Sequence, residues 1–301
     1  MEFIVTVIAA TTLSGESISH IADHADLAAI QQRDFGWIDE GKAGDFAVNA
    51  HDDEGPPVRA AFESALADLQ LDADVIVQRA DNRTKKMLIA DMDSTMITVE
   101  CIDELADYAG IKPQIAAITE RAMQGELDFR AALTERVALL AGLEESVIAR
   151  CLSERVHLMP GARTLVQTMK ARGSHCVLVS GGFTRFAEPV AAQIGFDLAI
   201  ANILEIADGV LTGRVLDPIV DSGTKLATLG AQCAKLGITP AQVLAVGDGA
   251  NDVPMIAAAG LGMAYHAHAA AVKAADAAVR YGDLTTLLYA QGIAQKHWVT
   301  S

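Results

Sequence analysis

"KKMLIADMDST" (residues 85–95) decides how this 301-residue chain is read. Met87 to Ala90 form an apolar run too short for a helix, the pattern of a strand buried on both faces. The run ends on Asp91, and Asp93 follows two residues later. Carboxylates that close repel each other, and packing alone gives no reason for them. In an open α/β sheet, ligands bind outside the carboxyl ends of the strands, so acids at this point read as chemistry.

The same pattern recurs downstream. "HCVLV" (175–179) runs into Ser180-Gly181-Gly182, and "VLAV" (243–246) runs into Gly247-Asp248-Gly249. "LGMAY" (261–265) and "AAVRY" (277–281) read as further strands, and "GFTRFAEPVAAQIG" (182–195) and "DVPMIAAAG" (252–260) as helices. Such alternation predicts an α/β fold with a Rossmann-like parallel sheet covered on both faces. Residues 97–158 carry helical spacing throughout and no strand signal. A parallel crossover needs only a dozen or more residues, so this stretch reads as an inserted helical cap. Residues 1–83 show the order βαββαβ: "FIVTVIAA", "SGESISHIADHAD", a hairpin around Gly41–Gly44, "PVRAAFESALADLQL" opened by Pro57, and "DADVIVQRA". That is the ferredoxin-like pattern. The polar "ADNRTKK" (80–86) places a boundary between a small α+β domain at 1–83 and a second domain at 84–301.

Composition narrows the partners. Lys and Arg number 23 against 39 Asp and Glu, a formal charge of −16. With no basic run, this balance argues against nucleic acid and anionic membranes. An anionic small-molecule substrate must then meet a local cluster of positive charge or a metal. The four cysteines are scattered without CxxC spacing and read as buried small hydrophobes of a cytoplasmic protein. "MEFIVTVIAA" lacks a basic leader and is too short to span a bilayer, so it reads as a first strand.

If the three strands are neighbours, Asp91, Asp93, Ser180 and Asp248 converge. Each alone is also a common turn or capping residue; all three strand ends together favour a site. Clustered carboxylates tolerate each other around a hard cation, so the pattern reads as a Mg²⁺ site for phosphoryl chemistry.

"DMDST" (91–95), "VSGGF" (179–183), Lys225 and "GDGANDVPM" (247–255) resemble the four motifs of the haloacid dehalogenase superfamily, the aspartate-nucleophile phosphatases. "DMDSTMITVECIDELA", "MQGELDFRAALTERVALL" and "ADAAVRYGDLTTLLYAQG" are similar to its phosphoserine phosphatase branch, and the resemblance spans about 85–292. It implies that Asp91 is the nucleophile, and that Asp93 is the general acid and then the general base. It implies that Mg²⁺ is held by the carboxylates of Asp91 and Asp248 and the main-chain carbonyl of Asp93, with Asp252 behind them. Ser180, Gly181, Gly182 and Lys225 would hold the phosphoryl oxygens, the glycines at a helix N-terminus, with Asn251 nearby. Glu100 would meet the substrate's ammonium and Arg136 its carboxylate, while Met123 and Phe129 close over the site.

The implied reaction is hydrolysis of O-phospho-L-serine to L-serine and phosphate, the last step of serine biosynthesis. Residues 1–83 resemble the ACT domain, a regulatory module that binds amino acids at a dimer interface, and so imply a regulatory or dimerisation unit and a homodimer. Plainer readings stay open: a solvated surface role for Lys225, helix salt bridges for Glu100 and Arg136, and a packing module at 1–83. Two other functions also stay open. One is hydrolysis of another small phosphomonoester, such as phosphohomoserine. The other is a phospho-accepting signalling module, against which Asp93 and the cap both argue.

Overall fold

A computed structural model describes residues 2–24, 31–49, 51, 54–123 and 126–300, without the side chains of residues 31–33 and 123. The apolar run of the opening motif is β5 (Met87–Ala90), and all four residues are completely buried. It lies inside a seven-stranded sheet of order β11-β10-β9-β5-β6-β7-β8. The other strands are β6 (His175–Phe183), β7 (Leu198–Ala207), β8 (Val210–Leu216), β9 (Val243–Gly247), β10 (Leu261–Tyr265) and β11 (Ala277–Val279). β5 pairs in parallel with β6 on one side and β9 on the other, Ala90 facing both Leu178 and Val246. Parallel neighbours end on the same edge, so Asp91, Ser180 and Asp248 emerge side by side.

The sheet departs from the sequence reading in three places. β7 and β8 form an antiparallel hairpin at one edge that the reading of apolar runs passes over. Its turn is Asp208-Gly209, both at positive φ (50° and 77°), the conformation that makes Asp-Gly a strong hairpin signal. The final strand stops at Val279, short of Tyr281. Gly181 and Gly182 also lie in the last turns of β6, and the following helix, α8 (Thr184–Ile194), starts after them.

Between β5 and β6 the chain forms α3 (Cys101–Tyr108), α4 (Lys112–Met123), α5 (Phe129–Ala138) and α6 (Ser146–Glu154), followed by α7 (Ala162–Ala171). An isolated bridge pairs Ile97 with Leu158 at the base of this insertion. α5 begins where the Asp128 carboxylate accepts the Ala131 amide, a side-chain cap that fixes the orientation of Phe129 and Arg136. α9 (Ser222–Leu236) starts the same way, with Asp221 accepting from Thr224, and carries Lys225 in its first turn.

The N-terminal unit comprises β1 (Glu2–Ala9), α1 (Gly15–Asp23), β2 (Gln31–Asp39), β3 (Ala43–Asn49), α2 (Gly55–Asp68) and β4 (Ala73–Arg79). Its antiparallel sheet has the order β2-β3-β1-β4. α2 starts at Gly55, so Pro57 lies inside the first turn rather than opening it. One sheet face is apolar and packs Val5, Val7, Phe46 and Val75 against Ile21 and Phe62 of the helices. The other face packs Ile8, Ala43 and Ile76 into the main core and meets the C-terminal segment through polar contacts as well. Asp74, 2% exposed, accepts the amides of Arg280, Tyr281 and Gly282 at 2.7, 3.2 and 2.9 Å. Arg83 grips both oxygens of Asp45 at 2.7 Å and donates to the Ala290 carbonyl. Among the described residues, no helix is long and apolar enough to cross a membrane.

Candidate active site

A cavity of about 480 Å³ opens at the carboxyl ends of β5, β6 and β9, roofed by the helical insertion. Asp91, Asp93, Glu100, Phe129, Arg136, Ser180, Gly181, Gly182, Asp248 and Asn251 all line it. Lys225 and Asp252 are fully buried against this cluster. The Met123 side chain lies outside the described residues.

Lys225 ties the floor together. Its Nζ is 2.6 Å from Asp252 Oδ1 and 2.7 Å from Asp91 Oδ1, the latter an ion pair without hydrogen-bond alignment. Burial alone would push the Lys225 pKa down, but the charges of Asp91 and Asp252 outweigh it and hold the ammonium well above the ordinary lysine range. This differs from a lysine reaching for phosphoryl oxygens alone, because here it also neutralises two carboxylates. Asp252 is saturated with donors, since its other oxygen accepts the amides of Asp248 and Gly249 at 3.2 and 3.0 Å.

The remaining acids are less well compensated. Asp91, Asp248 and Asp252 each bring an oxygen within 4.8 Å of the others. Burial and the Asp252 charge hold the Asp91 carboxyl well above the usual range, with Lys225 opposing. Burial and Asp252 likewise push Asp248 to about 6, against one hydrogen bond from Thr95. Asp91 Oδ1 is buried, and among the described residues its polar partner is the Lys225 ammonium. Three carboxylates around one ammonium form an oxygen-rich set with excess negative charge. It suits a divalent cation of the hard class.

Asp93 sits differently. Its Oδ1 accepts the Cys101 amide at 3.2 Å, and burial followed by the Glu100 charge pushes its pKa to about 7. A group poised near neutrality can give and take a proton at working pH. Ser180 is fully buried, and its Oγ accepts the Gly182 amide at 2.8 Å, leaving its own proton free to donate. The Phe129 ring lies against Gly181, where a Cβ would come within 3.1 Å of Cζ. In the roof, Arg136 donates from Nε to Ala132 O and forms no ion pair among the described residues. Burial lowers its pKa, while Asp103, Glu100 and Asp93 oppose that shift.

Sequence reasoning passed over several residues here. Thr95 donates to Asp248 Oδ1 at 3.0 Å, and Ser94, at φ 53°, donates to Glu100 Oε1 at 2.6 Å. Two adjacent hydroxyls thus brace opposite sides of the cavity. Asn202, fully buried on β7, donates to Gly181 O and Val220 O and accepts from Val220 N. It fastens the glycine turn to the segment leading into Lys225. The signal for Asn202 was an amide inside an apolar strand, visible only once β7 is recognised.

Residues 88–257 match the family model described as haloacid dehalogenase-like hydrolase, more than half of the chain. The chain belongs to the haloacid dehalogenase-like hydrolases. Its relatives narrow the likeness within these hydrolases. It is 47% identical over 208 residues to the phosphoserine phosphatase of Albidiferax ferrireducens, an alignment covering 67% of this chain and 88% of that protein. It is 44% identical over 237 residues to phosphoserine phosphatase SerB2 of Mycobacterium tuberculosis, covering 79% of this chain. The alignment spans only 58% of that longer relative. Among solved haloacid dehalogenase-like folds, an unliganded probable phosphoserine phosphatase from Vibrio cholerae superposes with a TM-score of 0.78 at 33% identity. That match covers 98% of this chain and 88% of the other.

Proposed function

We propose that this hydrolase cleaves O-phospho-L-serine to L-serine and phosphate through an aspartyl-phosphate on Asp91, the closing step of serine biosynthesis. The observation that carries this reading is the roof of the cavity, where an Arg136 guanidinium without an ion pair among the described residues and the Glu100 carboxylate face the Asp91 cluster. An arginine fork grips a carboxylate bidentately, and a carboxylate matches an ammonium. Only a substrate with both groups and a phosphoryl group uses all three. The names of the relatives agree.

Asp91 attacks phosphorus in line, and the bond to the serine oxygen breaks as the bond to Asp91 forms. Asp93 gives its proton to the leaving oxygen. It then takes one from the water that attacks the aspartyl-phosphate, so that phosphate leaves and Asp91 is regenerated. The Ser180 hydroxyl, the Gly181 amide and Lys225 hold the phosphoryl oxygens, with Asn251 at the rim and Gly182 keeping the turn open. The carboxylates of Asp91 and Asp248 and the main-chain carbonyl of Asp93 are the groups suited to hold Mg²⁺, with Asp252 steadying them. Bound Mg²⁺ supplies neutralising charge for the phosphoryl oxygens and their carboxylate neighbours. Chelation should abolish phosphate release from phosphoserine, and added Mg²⁺ should restore it; full activity in chelator would refute the metal assignment.

Arg136→Ala should raise KM for phosphoserine about 10- to 100-fold, the scale of a charged hydrogen-bonding pair, and leave ethyl phosphate hydrolysis nearly unchanged. Equal losses on both esters would remove Arg136 from recognition. A kinetic panel including phosphohomoserine tests the choice of substrate. Gly182→Ala probes geometry, because the new methyl would lie 2.7 Å from Asp93 Oδ2 and 3.1 Å from Ser180 Oγ. A displacement of that kind should lower kcat about 100-fold with little change in KM.

Residues 1–83 we read as an ACT-like regulatory or dimerisation domain ahead of a phosphatase domain at 84–301 with its cap at 97–158, the whole a cytoplasmic homodimer. The βαββαβ order supports the first part, and four free, buried cysteines suit a reducing compartment. L-Serine titrated against the intact chain by calorimetry, with sedimentation of the same sample, checks both.

A further inference from the structure

A second cavity, about 570 Å³, opens where α2 and β4 meet the core sheet. Its charged lining is Arg59, Arg79 and Lys85 against Asp81 and Asp276, a local cationic excess in a chain of net charge −16. Arg79 and Asp81 pair with each other at 3.1 Å, which leaves Arg59 and Lys85 facing Asp276.

Lys85 is only 3% exposed. Its Nζ donates to the main-chain carbonyls of Ala241 and Gly260 at 3.2 and 3.3 Å, two of the three bonds an ammonium can give. Among the described residues, no carboxylate lies within 4 Å of it. Carbonyls solvate the charge without neutralising it, and burial draws the Lys85 pKa down to about 8, with Asp276 and Asp81 opposing from longer range. Arg59 donates to the main-chain oxygen of Asp276 and likewise forms no ion pair among the described residues. One cavity thus gathers two cations that no carboxylate pairs within 4 Å among the described residues, with Asp276 opposing only from longer range, and native interiors rarely leave a buried charge so weakly answered.

We propose that this cavity binds a small carboxylate, its anionic group on Lys85 and Arg59. A single negative charge balances the lining. The proposal is independent of the phosphatase reading, since none of these residues touches the Asp91 cluster. The occupant would rest at the root of the catalytic strand. The Lys85 amide donates to Gln291 Oε1 and its carbonyl accepts from Ser174 Oγ, just ahead of β5.

Thermal melts of the intact chain in chelator, with glycolate and acetate as probes at constant ionic strength, test this. Both should raise Tm saturably, and uncharged ethylene glycol at the same concentration should not. Lys85→Met and Arg59→Ala should each weaken glycolate binding at least about tenfold, the scale of a charged hydrogen bond, and leave kcat for phosphoserine unchanged. An equal glycolate response in wild type and in both cationic variants would place the anion elsewhere and overturn the proposal. So would the lack of any saturable response at millimolar concentrations.

Discussion

Asp91→Asn is expected to cut turnover by about four orders of magnitude or more while the chain stays folded, because the proposed mechanism passes through a covalent bond to the Asp91 carboxylate. Residual phosphate release near the wild-type rate would remove Asp91 from the nucleophile role. The same variant carries a second signature. Burial and the neighbouring Asp252 hold the Asp91 carboxyl above its ordinary range, so the ionised form costs the folded state stability. For a carboxylate with a raised folded pKa, that cost is absent at low pH. It grows as pH rises through the ordinary carboxylate range, where the unfolded chain ionises first. In metal-free protein Asp91→Asn should therefore melt higher than wild type at neutral pH, and the gap should close on acidification. A site that works by crowding like charges is destabilised by its own function.

Lys225→Met should have the largest effect on stability. The ammonium is completely buried between Asp91 and Asp252, and its removal strands two carboxylates that no other cation pairs with among the described residues. Breaking a buried pair by deleting one partner costs roughly 3–5 kcal/mol. Urea unfolding of the metal-free variant should show that loss as a lower midpoint, partly recovered on adding Mg²⁺. A midpoint within about 0.5 kcal/mol of wild type would mean the two acids are protonated or solvated in the fold and the pairing is incidental. Turnover should fall about 1,000-fold, since the same charge offsets the repulsion between Asp91 and a phosphodianion.

The parts of the molecule legible in the sequence are those whose local pattern and chemistry coincide. The apolar stretches of β5, β6 and β9 run into Asp91, Ser180 and Gly247-Asp248, and the structure sets them side by side. The insertion reads as helical because its apolar spacing is uninterrupted. The β7–β8 hairpin is harder to see, because a strand next to the sheet edge such as "LAIANILEIA" is only half buried and keeps no clean alternation. Its Asp208-Gly209 turn was the available clue. Thr95 and Asn202 escaped for a different reason. Their partners, Asp248 and the Gly181 and Val220 backbone, are remote in sequence, and a hydroxyl or amide does not announce what it will hold. The sequence pattern of Lys225 implies a ligand for phosphoryl oxygens, and its pairing with two acids emerges only from tertiary packing.

The three amides that Asp74 caps belong to the segment just before Asp283, and they lose their carboxylate acceptor if β4 is absent. Cutting the chain near residue 83 would leave those donors and the surface around Tyr289 and Ala290 raw. A trimmed enzyme that runs slowly or precipitates would thus betray lost scaffolding before lost signalling. Point changes at Asp74, rather than truncations, are the cleaner way to ask what the first eighty residues contribute.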